Sequence, residues 1–169
     1  GTFPPAEKRW CMPWYYPNFQ NDMWRIFGLI YFGDKFHFVD VEHKTYRQDA
    51  IKDFLKEKGV AIYDTAQQVI RTKNTASDKD LQIVQSSDLD GMLARLPQCK
   101  AVLTAGQLAT KVFSDHFGIR SLPKMGEYVE FTVGTRQLRL YRMPSSSRAY
   151  PMAVEKKAEY YRKMFEEIL

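Results

Sequence analysis

Cysteine is scarce in this chain, whose 169 residues include only Cys11 and Cys99, far apart and outside any Cys-x-x-Cys spacing. Such a pair can form neither a four-cysteine zinc site nor an iron–sulfur cluster held by four cysteines. Two isolated reduced thiols are typical of an intracellular protein. Long apolar runs and a secretory signal pattern are also absent. We therefore expect an intracellular protein, cytoplasmic if bacterial, with no membrane partner, no metal and no other cofactor.

Several common catalytic signatures are missing as well. No segment matches a dinucleotide-binding fingerprint or a phosphate-binding loop with its lysine. The Gly-x-Ser-x-Gly elbow of many serine hydrolases is absent. The three histidines, His37, His43 and His116, are scattered, as surface or structural histidines usually are. The remaining candidates for chemistry are amides, carboxylates, aromatic rings and a cluster of serines.

Aromatic residues and positive charge, in contrast, are plentiful. The chain is 14% aromatic and has a formal net charge of +5. A basic balance favours a polyanionic partner such as nucleic acid, although many basic proteins bind none. A hydrophobic fraction of 44% over 169 residues is typical of a globular protein and indicates one domain with a sizeable core.

Hydrophobic patterning predicts several short strands. The apolar runs 60–63 and 101–105 have the composition of strands buried on both faces, and we expect them to be neighbours in one sheet. Residues 128–133 and 137–141 alternate between apolar and polar, which predicts a hairpin that turns at Gly134-Thr135. The polar stretch 67–87 predicts a long connection, and such connections are often functional.

Segments in which apolar residues have helical spacing lie between these predicted strands. Ser87 or Asp88 is predicted to cap a short helix that runs to Leu96, and Gly33 and Gly59 to end two others. The order of elements predicts an α/β fold, a three-layer sandwich with a short, mostly parallel central sheet flanked by helices. In such folds the ligand lies at the carboxyl ends of the strands. The longer predicted helices are 21–32, 46–58, 107–117 and 154–169.

The stretch Tyr15–Trp24 has an unusual composition, with two tyrosines, amides and a carboxylate directly before an apolar helix. Asn18 or Asn21 can cap that helix by accepting a bond from a free backbone N–H group. Aromatic faces beside amides also suit a planar heterocycle. On this segment alone, a capped helix with ordinary core aromatics is the simpler interpretation.

Residues Tyr15–Trp24 resemble, without a gap, the Tyr-Tyr-x-His-Pro-x-Asn-x-Phe-Trp segment of the uracil-DNA glycosylase superfamily. The most similar branch is that of the mismatch-specific and hypoxanthine-DNA glycosylases. Further motifs of this branch have similar segments here in the same order, and together they span nearly the whole chain. These segments are Gly1–Pro4, Tyr63–Thr65, Thr104–Ala109 and Met143–Ala149.

The resemblance implies a monofunctional, metal-independent glycosylase of DNA base excision repair. Such an enzyme flips a deaminated base, uracil or hypoxanthine, out of double-stranded DNA and hydrolyses its N-glycosidic bond. Asn21 is implied to be catalytic by orienting water, because Phe3 stands where many members carry the water-activating Asp or Asn. The resemblance also implies a single domain over residues 1–169 that acts as a monomer. The family fold places a strand just before Gly1, which we expect the chain to lack.

The same resemblance implies two groups of binding residues. Aromatic rings would stack on the flipped base, at roughly 1–3 kcal/mol per stack, and backbone N–H groups near Gly1–Phe3 would stabilise charge on the departing base. Asp64 would bond the ring edge of the base or cap the segment after it, and both roles stay open. The base-binding residues would be Gly1, Thr2, Phe3, Tyr15, Tyr16, Asn18 and Asp64. The DNA-binding residues would be Ser145, Ser146, Ser147 and Arg148.

Two other functions remain open at this point. A non-catalytic DNA- or nucleotide-binding module on the same fold is kept open by Phe3. A nucleoside hydrolase would use a similar pocket without needing the serine–arginine loop. Outside the motifs, Lys156, Lys157 and Lys163 are interleaved with glutamates in the final helix, which predicts a solvated face.

Overall fold

The chain has a mixed α/β structure, seen in a computed structural model that describes residues 1–169. Single 3₁₀ turns occur at Glu7–Arg9 and Asp78–Asp80. The helices are α1 (Met23–Phe32), α2 (Gln48–Lys58), α3 (Leu89–Ala94), α4 (Gln107–His116) and α5 (Val154–Ile168). The strands are β1 (Val39–Asp40), β2 (Thr45–Tyr46), β3 (Ala66–Arg71), β4 (Leu81–Ser86), β5 (Ala101–Ala105), β6 (Tyr128–Val133) and β7 (Arg136–Met143).

The helix ends follow the capping residues that the sequence contains. Helices α1 and α2 end at Gly33 and Gly59, whose φ angles of 65° and 69° lie in the left-handed region. The Asp88 carboxylate accepts the N–H of Gly91 at 3.0 Å and so caps α3. These predicted helix boundaries are confirmed. None of the helices is both long and apolar enough to cross a lipid bilayer.

A three-stranded sheet with the order β5-β7-β6 lies at the centre of the core. Strand β5 pairs in parallel with β7, and β6 pairs with β7 in the antiparallel hairpin predicted around Gly134-Thr135. Side chains of β7 alternate between the two faces. Leu138 and Leu140 pack with residues of α3 and α4, whereas Tyr141 and Met143 pack with residues of α1 and α5. Helices therefore cover both faces of this sheet.

The mostly parallel central sheet predicted from the sequence is wrong, because the sheets are small and mostly antiparallel. Residues 60–63 form no strand and pair with no other segment. Val60 and Ile62 pack against the core while Ala61 and Tyr63 are exposed, so the apolar run is an extended segment with one buried side. The predicted burial on both faces is therefore wrong as well, because hydrophobicity does not specify a partner for the backbone or a cover for the second face.

The predicted connection 67–87 is also wrong, since it folds into the antiparallel hairpin β3–β4. Val69 lies opposite Ile83 in this hairpin, while many of the other positions are polar and exposed. The strands carry the β-branched residues Val69, Ile70, Ile83 and Val84, but the polar loop between them made the stretch as a whole resemble a connection. The loop between the two strands carries Asp78 toward the other motifs.

Candidate functional site

A pocket of about 340 Å³ lies where several distant stretches of the chain meet, and we call it the Tyr16 pocket. Residues 1–5 and 16–21 contribute two of its walls. Asp64 follows the extended segment 60–63, and Ala105 is the last residue of strand β5. The pocket is completed by the loop of the β3–β4 hairpin and by Ser145–Ala149 after β7.

Eleven of the twelve residues singled out from the sequence line this pocket. The exception is Tyr15, whose ring packs against Trp14 and Tyr63 with centroid distances of 5.5 and 5.9 Å. Asp64 and Ala105 line the same pocket although residues 60–63 and β5 are not sheet neighbours. The eleven residues are Gly1, Thr2, Phe3, Tyr16, Asn18, Asn21, Asp64, Ser145, Ser146, Ser147 and Arg148.

The loop before α1 is held in place by the buried guanidinium of Arg25. Its Nη1 donates to the carbonyl oxygens of Phe19 at 2.7 Å and Asn21 at 3.0 Å, and to the Tyr46 hydroxyl. The Tyr46 hydroxyl lies within hydrogen-bond distance of the same two carbonyls and shares its single proton between them. Burial raises the pKa of Tyr46, so this hydroxyl stays a donor. These bonds fix the backbone that presents Asn18 and Asn21 to the pocket.

Tyr16 occupies a left-handed backbone conformation, with φ 51°, that is uncommon for a residue with a side chain. Its ring meets Trp24 edge-on at 5.9 Å. Burial raises the pKa of Tyr16 well above 10, and the charges of Asp64 and Asp78 raise it further. The pocket thus contains a neutral phenol close to two carboxyl groups.

Gly1 lies so close to the side chains of the Tyr16 pocket that a side chain here would be tightly packed. A Cβ atom at this position would lie 3.1 Å from Asp64 Oδ1 and 3.2 Å from the Tyr16 hydroxyl. The N–H groups of Thr65 and Ala66 donate to the carbonyls of Gly1 and Thr2 and hold this backbone in place. The N–H groups of Thr2 and Phe3 donate to no protein acceptor, so they are free to bind a ligand.

The two asparagines of the pocket have the same hydrogen-bonding pattern. Asn21 Oδ1 accepts the N–H of Met23 at 2.9 Å, and Asn18 Oδ1 accepts the N–H of Gln20 at 3.0 Å. Asn21 therefore acts as a cap at the start of α1, which was the alternative to its catalytic role. Neither NH₂ group has a protein partner. Both amides can donate a hydrogen bond into the pocket.

The serine loop offers hydroxyl groups of unequal availability. The Oγ atoms of Ser145 and Ser147 each accept the N–H group two residues ahead, at 3.2 Å, and keep their own protons for a ligand. Ser146 is only 2% exposed, and its carbonyl accepts the N–H of Asp22 at 2.8 Å. The Tyr161 hydroxyl donates to the carbonyl of Pro144 and holds the base of the loop.

A buried ion pair connects this loop to the helices. Asp22 accepts Lys157 Nζ at 2.9 Å on Oδ2 and Arg148 Nε at 3.3 Å on Oδ1. Lys157 also donates to the carbonyl of Ser147, and its side chain is 0% exposed. The predicted solvated face is therefore wrong for Lys157. The sequence held a signal for this, because Lys157 lies four residues before Tyr161 on the apolar stripe of α5.

Asp78 is the one acidic pocket residue that the sequence motifs did not identify. Thr2 Oγ1 donates to Asp78 Oδ2 at 3.0 Å. Burial raises the pKa of Asp78, and the charge of Asp64 adds to this rise, while the Thr2 bond and Arg71 act in the opposite direction. Its position in the long polar stretch 67–87 was the only hint of a functional role.

A second cavity of about 510 Å³ adjoins the first, and we call it the Lys111 groove. Asp78, Ser145 and Ser147 line both cavities. The side chains of Lys79, Lys111 and Arg142 line the groove, with Lys111 paired to Asp115, and α4 begins at its edge. No group of three or more His, Cys, Asp and Glu side chains is arranged to hold a metal ion.

Comparison of the chain with protein-family models, with curated proteins and with solved structures gives no match. The resemblance to the uracil-DNA glycosylase superfamily therefore stays a prediction from the sequence motifs.

Proposed function

We propose that the chain is a DNA glycosylase that hydrolyses the N-glycosidic bond of a deaminated base. The observation that carries the proposal is the convergence of eleven motif residues on the Tyr16 pocket. They come from both ends of the sequence and from its middle. An unrelated fold would not be expected to bring them together.

The size of the pocket suits one base. Small-molecule sites occupy about 300–1,000 Å³, and the Tyr16 pocket, at about 340 Å³, lies at the low end of this range. One flipped nucleobase with part of its sugar is a ligand of that scale. The neutral ring of Tyr16 and the ring of Phe3 supply apolar surface against which such a base can stack.

The polar groups of the pocket complement a lactam edge, which is what deamination creates. Uracil and hypoxanthine present a carbonyl acceptor beside a ring N–H donor, whereas cytosine and adenine present an amino donor beside a ring nitrogen acceptor. The Asn18 NH₂ group can donate to that carbonyl because its own oxygen is already occupied by Gln20 N–H. Asp64 can accept the ring N–H. The same pair would meet cytosine and adenine, the bases before deamination, with mismatched donors and acceptors.

The surroundings of the pocket suit a DNA backbone. The hydroxyl groups of Ser145 and Ser147 can donate to phosphate oxygens, and Arg148 is half exposed beside them. The Lys111 groove extends this surface with three basic side chains. We propose that the flipped nucleotide enters the Tyr16 pocket while its neighbouring phosphates lie along the serine loop and the groove.

The proposal includes the three-layer arrangement of the superfamily fold, although not its mostly parallel sheet. Helices cover both faces of the β5-β7-β6 sheet, which supports a three-layer sandwich. Residues 60–63 run as an extended segment that leads to Asp64, as the second strand of that fold would do.

A non-catalytic DNA- or nucleotide-binding module is the second candidate. Two observations favour it: Phe3 supplies no acid or base, and the amide oxygen of Asn21 already bonds Met23 N–H. Such a module would bind the modified base through the same Asn18 and Asp64 groups without breaking the glycosidic bond.

Base release from synthetic duplexes tests these alternatives. Duplexes that contain uracil, hypoxanthine or thymine opposite guanine are incubated with excess protein, and free base is measured by chromatography. We expect release of uracil or hypoxanthine and an abasic strand that breaks only after alkali, because hydrolysis leaves the sugar–phosphate chain intact. Salt-sensitive duplex binding without any base release would establish the non-catalytic module instead. Release from free deoxyuridine or deoxyinosine alone would indicate a nucleoside hydrolase.

A further inference from the structure

Asp78 occupies the junction between the two cavities. It lines the Tyr16 pocket together with Asn21 and the Lys111 groove together with Ser145. Its Oδ2 accepts the Thr2 hydroxyl at 3.0 Å, and no protein group donates to Oδ1. One carboxylate oxygen is thus held in place by a residue of the first motif, and the other is available to a ligand.

We propose that Asp78 is the carboxylate that takes the proton from the attacking water, an inference that rests on the proposed glycosylase function. Asn21 would hold this water but cannot take its proton, since an amide is not a base at neutral pH. Phe3 cannot do so either. Asp78 lies next to Thr2 and so supplies, from another part of the chain, the acid–base group that the first motif lacks.

The position of the reacting carbon favours Asp78 over the other pocket carboxylate. The C1′ carbon joins the base to the sugar, so it must lie where the base pocket meets the path of the sugar–phosphate chain. Asp78 lines both cavities, whereas Asp64 lines the Tyr16 pocket alone. Asp64 is therefore placed for the edge of the base and Asp78 for the sugar end of the bond.

The proposed step is a hydrolysis that needs no other reactant. The water oxygen forms a bond to C1′ as the bond from C1′ to the base nitrogen breaks, and the electron pair of that bond leaves with the base. One water proton moves to Asp78 Oδ1. The base takes up a proton from solvent as it departs, and Asp78 later returns its proton to solvent. Before the proton moves, the negative charge of Asp78 also stabilises the oxocarbenium character of the sugar.

The charged and titratable groups around Asp78 define the expected pH dependence. Asp64, Tyr16 and Arg71 lie around it, and burial, the largest effect, raises the pKa of Asp78. A general base acts only when deprotonated, so the rate should fall as the pH is lowered from neutral through this raised pKa. A carboxylate with a raised pKa is also a stronger base than one free in water.

The test measures single-turnover base release with saturating protein and the duplex that the wild type processes. Asp78→Asn keeps the shape and an acceptor for Thr2 but cannot take a proton, and we expect the rate to fall about 10²-fold or more. Duplex binding should not weaken, because the substitution removes a negative charge. Asp53→Asn makes the same charge change on an exposed position of α2 away from both cavities, and it should keep the wild-type rate.

The pH profile separates the possible outcomes. The acid limb of the profile is the fall in the rate of base release at low pH. We expect Asp64→Asn to keep the acid limb of the wild type and the residual activity of Asp78→Asn to lack it. An active wild type whose Asp78→Asn variant is equally fast, or retains the acid limb, would overturn this inference and leave the glycosylase function standing. A wild type that releases no base from any duplex would overturn the function itself and this role with it. If Asp78→Asn fails to fold, a wild-type rate that does not decline at low pH would still contradict the role.

Discussion

Lys157 Nζ lies 2.9 Å from Asp22 Oδ2, and both side chains are almost completely withdrawn from solvent. The pair joins α5 to the residue that precedes α1. Both partners also bond the serine loop, Lys157 through the carbonyl of Ser147 and Asp22 through its N–H to Ser146. The ion pair therefore sets the position of the serine loop relative to Asn21, two parts of the proposed site that are more than a hundred residues apart.

Replacing Lys157 with Met should destabilise the protein strongly. The substitution would leave the Asp22 carboxylate buried with only the partly exposed Arg148 as its partner, and removal of one member of a buried pair costs about 3–5 kcal/mol. Urea denaturation measures the free energy of unfolding directly. Lys156→Met, one residue away on the exposed side of α5, is the matched control and should change stability by no more than about 0.5 kcal/mol.

The double variant Asp22→Asn/Lys157→Met tests the same ion pair by removing both charges. With both charges removed, no buried ion remains uncompensated, so part of the lost stability should return. If Lys157→Met were as stable as Lys156→Met, the pair would be unimportant for the fold, and another explanation for the position of the serine loop would be needed.

The sequence predicted the elements that depend on local signals. Gly33, Gly59 and Asp88 mark helix ends through their own backbone preferences and side-chain bonds, and these boundaries are found in the structure. The alternation around Gly134-Thr135 marks a hairpin for the same reason. The candidate site could be assembled because its residues lie in short motifs that keep a fixed order along the chain.

Features that depend on distant partners could not be predicted in this way. Whether the run 60–63 forms a strand is decided by a neighbouring backbone, which hydrophobicity does not identify. Lys157 was predicted to be solvated because it is charged, although it lies on the apolar stripe of α5. Its partner Asp22 lies 135 residues away along the chain. Asp78 lies in a polar hairpin loop and meets Thr2 only in the folded chain, 76 residues apart.

Replacing Asn21 should separate capping from catalysis. Asn21→Ala removes both the oxygen that accepts Met23 N–H and the free NH₂ group. We expect a loss of about 1 kcal/mol in stability, the usual size of a lost cap, and a fall of about 10²-fold or more in base release. Thermal melting and single-turnover base release below the melting point measure the two effects.

Asn21→Ser is the variant that distinguishes the two roles. A serine hydroxyl can still accept the Met23 N–H but cannot reach into the pocket as an amide does. Its stability should stay close to that of the wild type while base release remains low. Full activity in either folded variant would show that Asn21 is a cap alone, and Asn18 or Asp64 would then be the next candidate.

Arg148→Ala should weaken binding to duplex DNA with little loss of stability. The Arg148 side chain is 52% exposed, and Asp22 keeps its bond to Lys157 when Arg148 is removed. If Arg148 contacts a phosphate, the slope of log affinity against log salt should become shallower by about one. Arg162→Ala removes the same charge from an exposed position of α5 outside both cavities and should leave the slope unchanged. Equal slopes for the two variants would remove Arg148 from the DNA interface.

Asp78→Asn should increase the stability of the protein at neutral pH even as it lowers activity. Burial raises the pKa of Asp78 in the folded state, so the folded protein binds its proton more tightly than the unfolded chain does. The free energy of unfolding therefore decreases as the pH rises from the ordinary carboxyl pKa to the raised one. Above this window the buried carboxylate destabilises the fold by a constant amount. Asparagine has no charge to desolvate and should remove that cost.

Urea denaturation of wild type and Asp78→Asn across a pH series measures this difference. We expect the variant to be the more stable protein at neutral pH, with an advantage that shrinks as the pH falls through the window and disappears where Asp78 is protonated. Asp53→Asn, on an exposed position of α2, controls for the change in net charge and should show no such trend. A variant less stable than the wild type at neutral pH would mean that Asp78 holds the hairpin loop in place through its charge. A gain in stability together with a loss of base release would instead identify a carboxylate kept buried for chemistry at the expense of the fold.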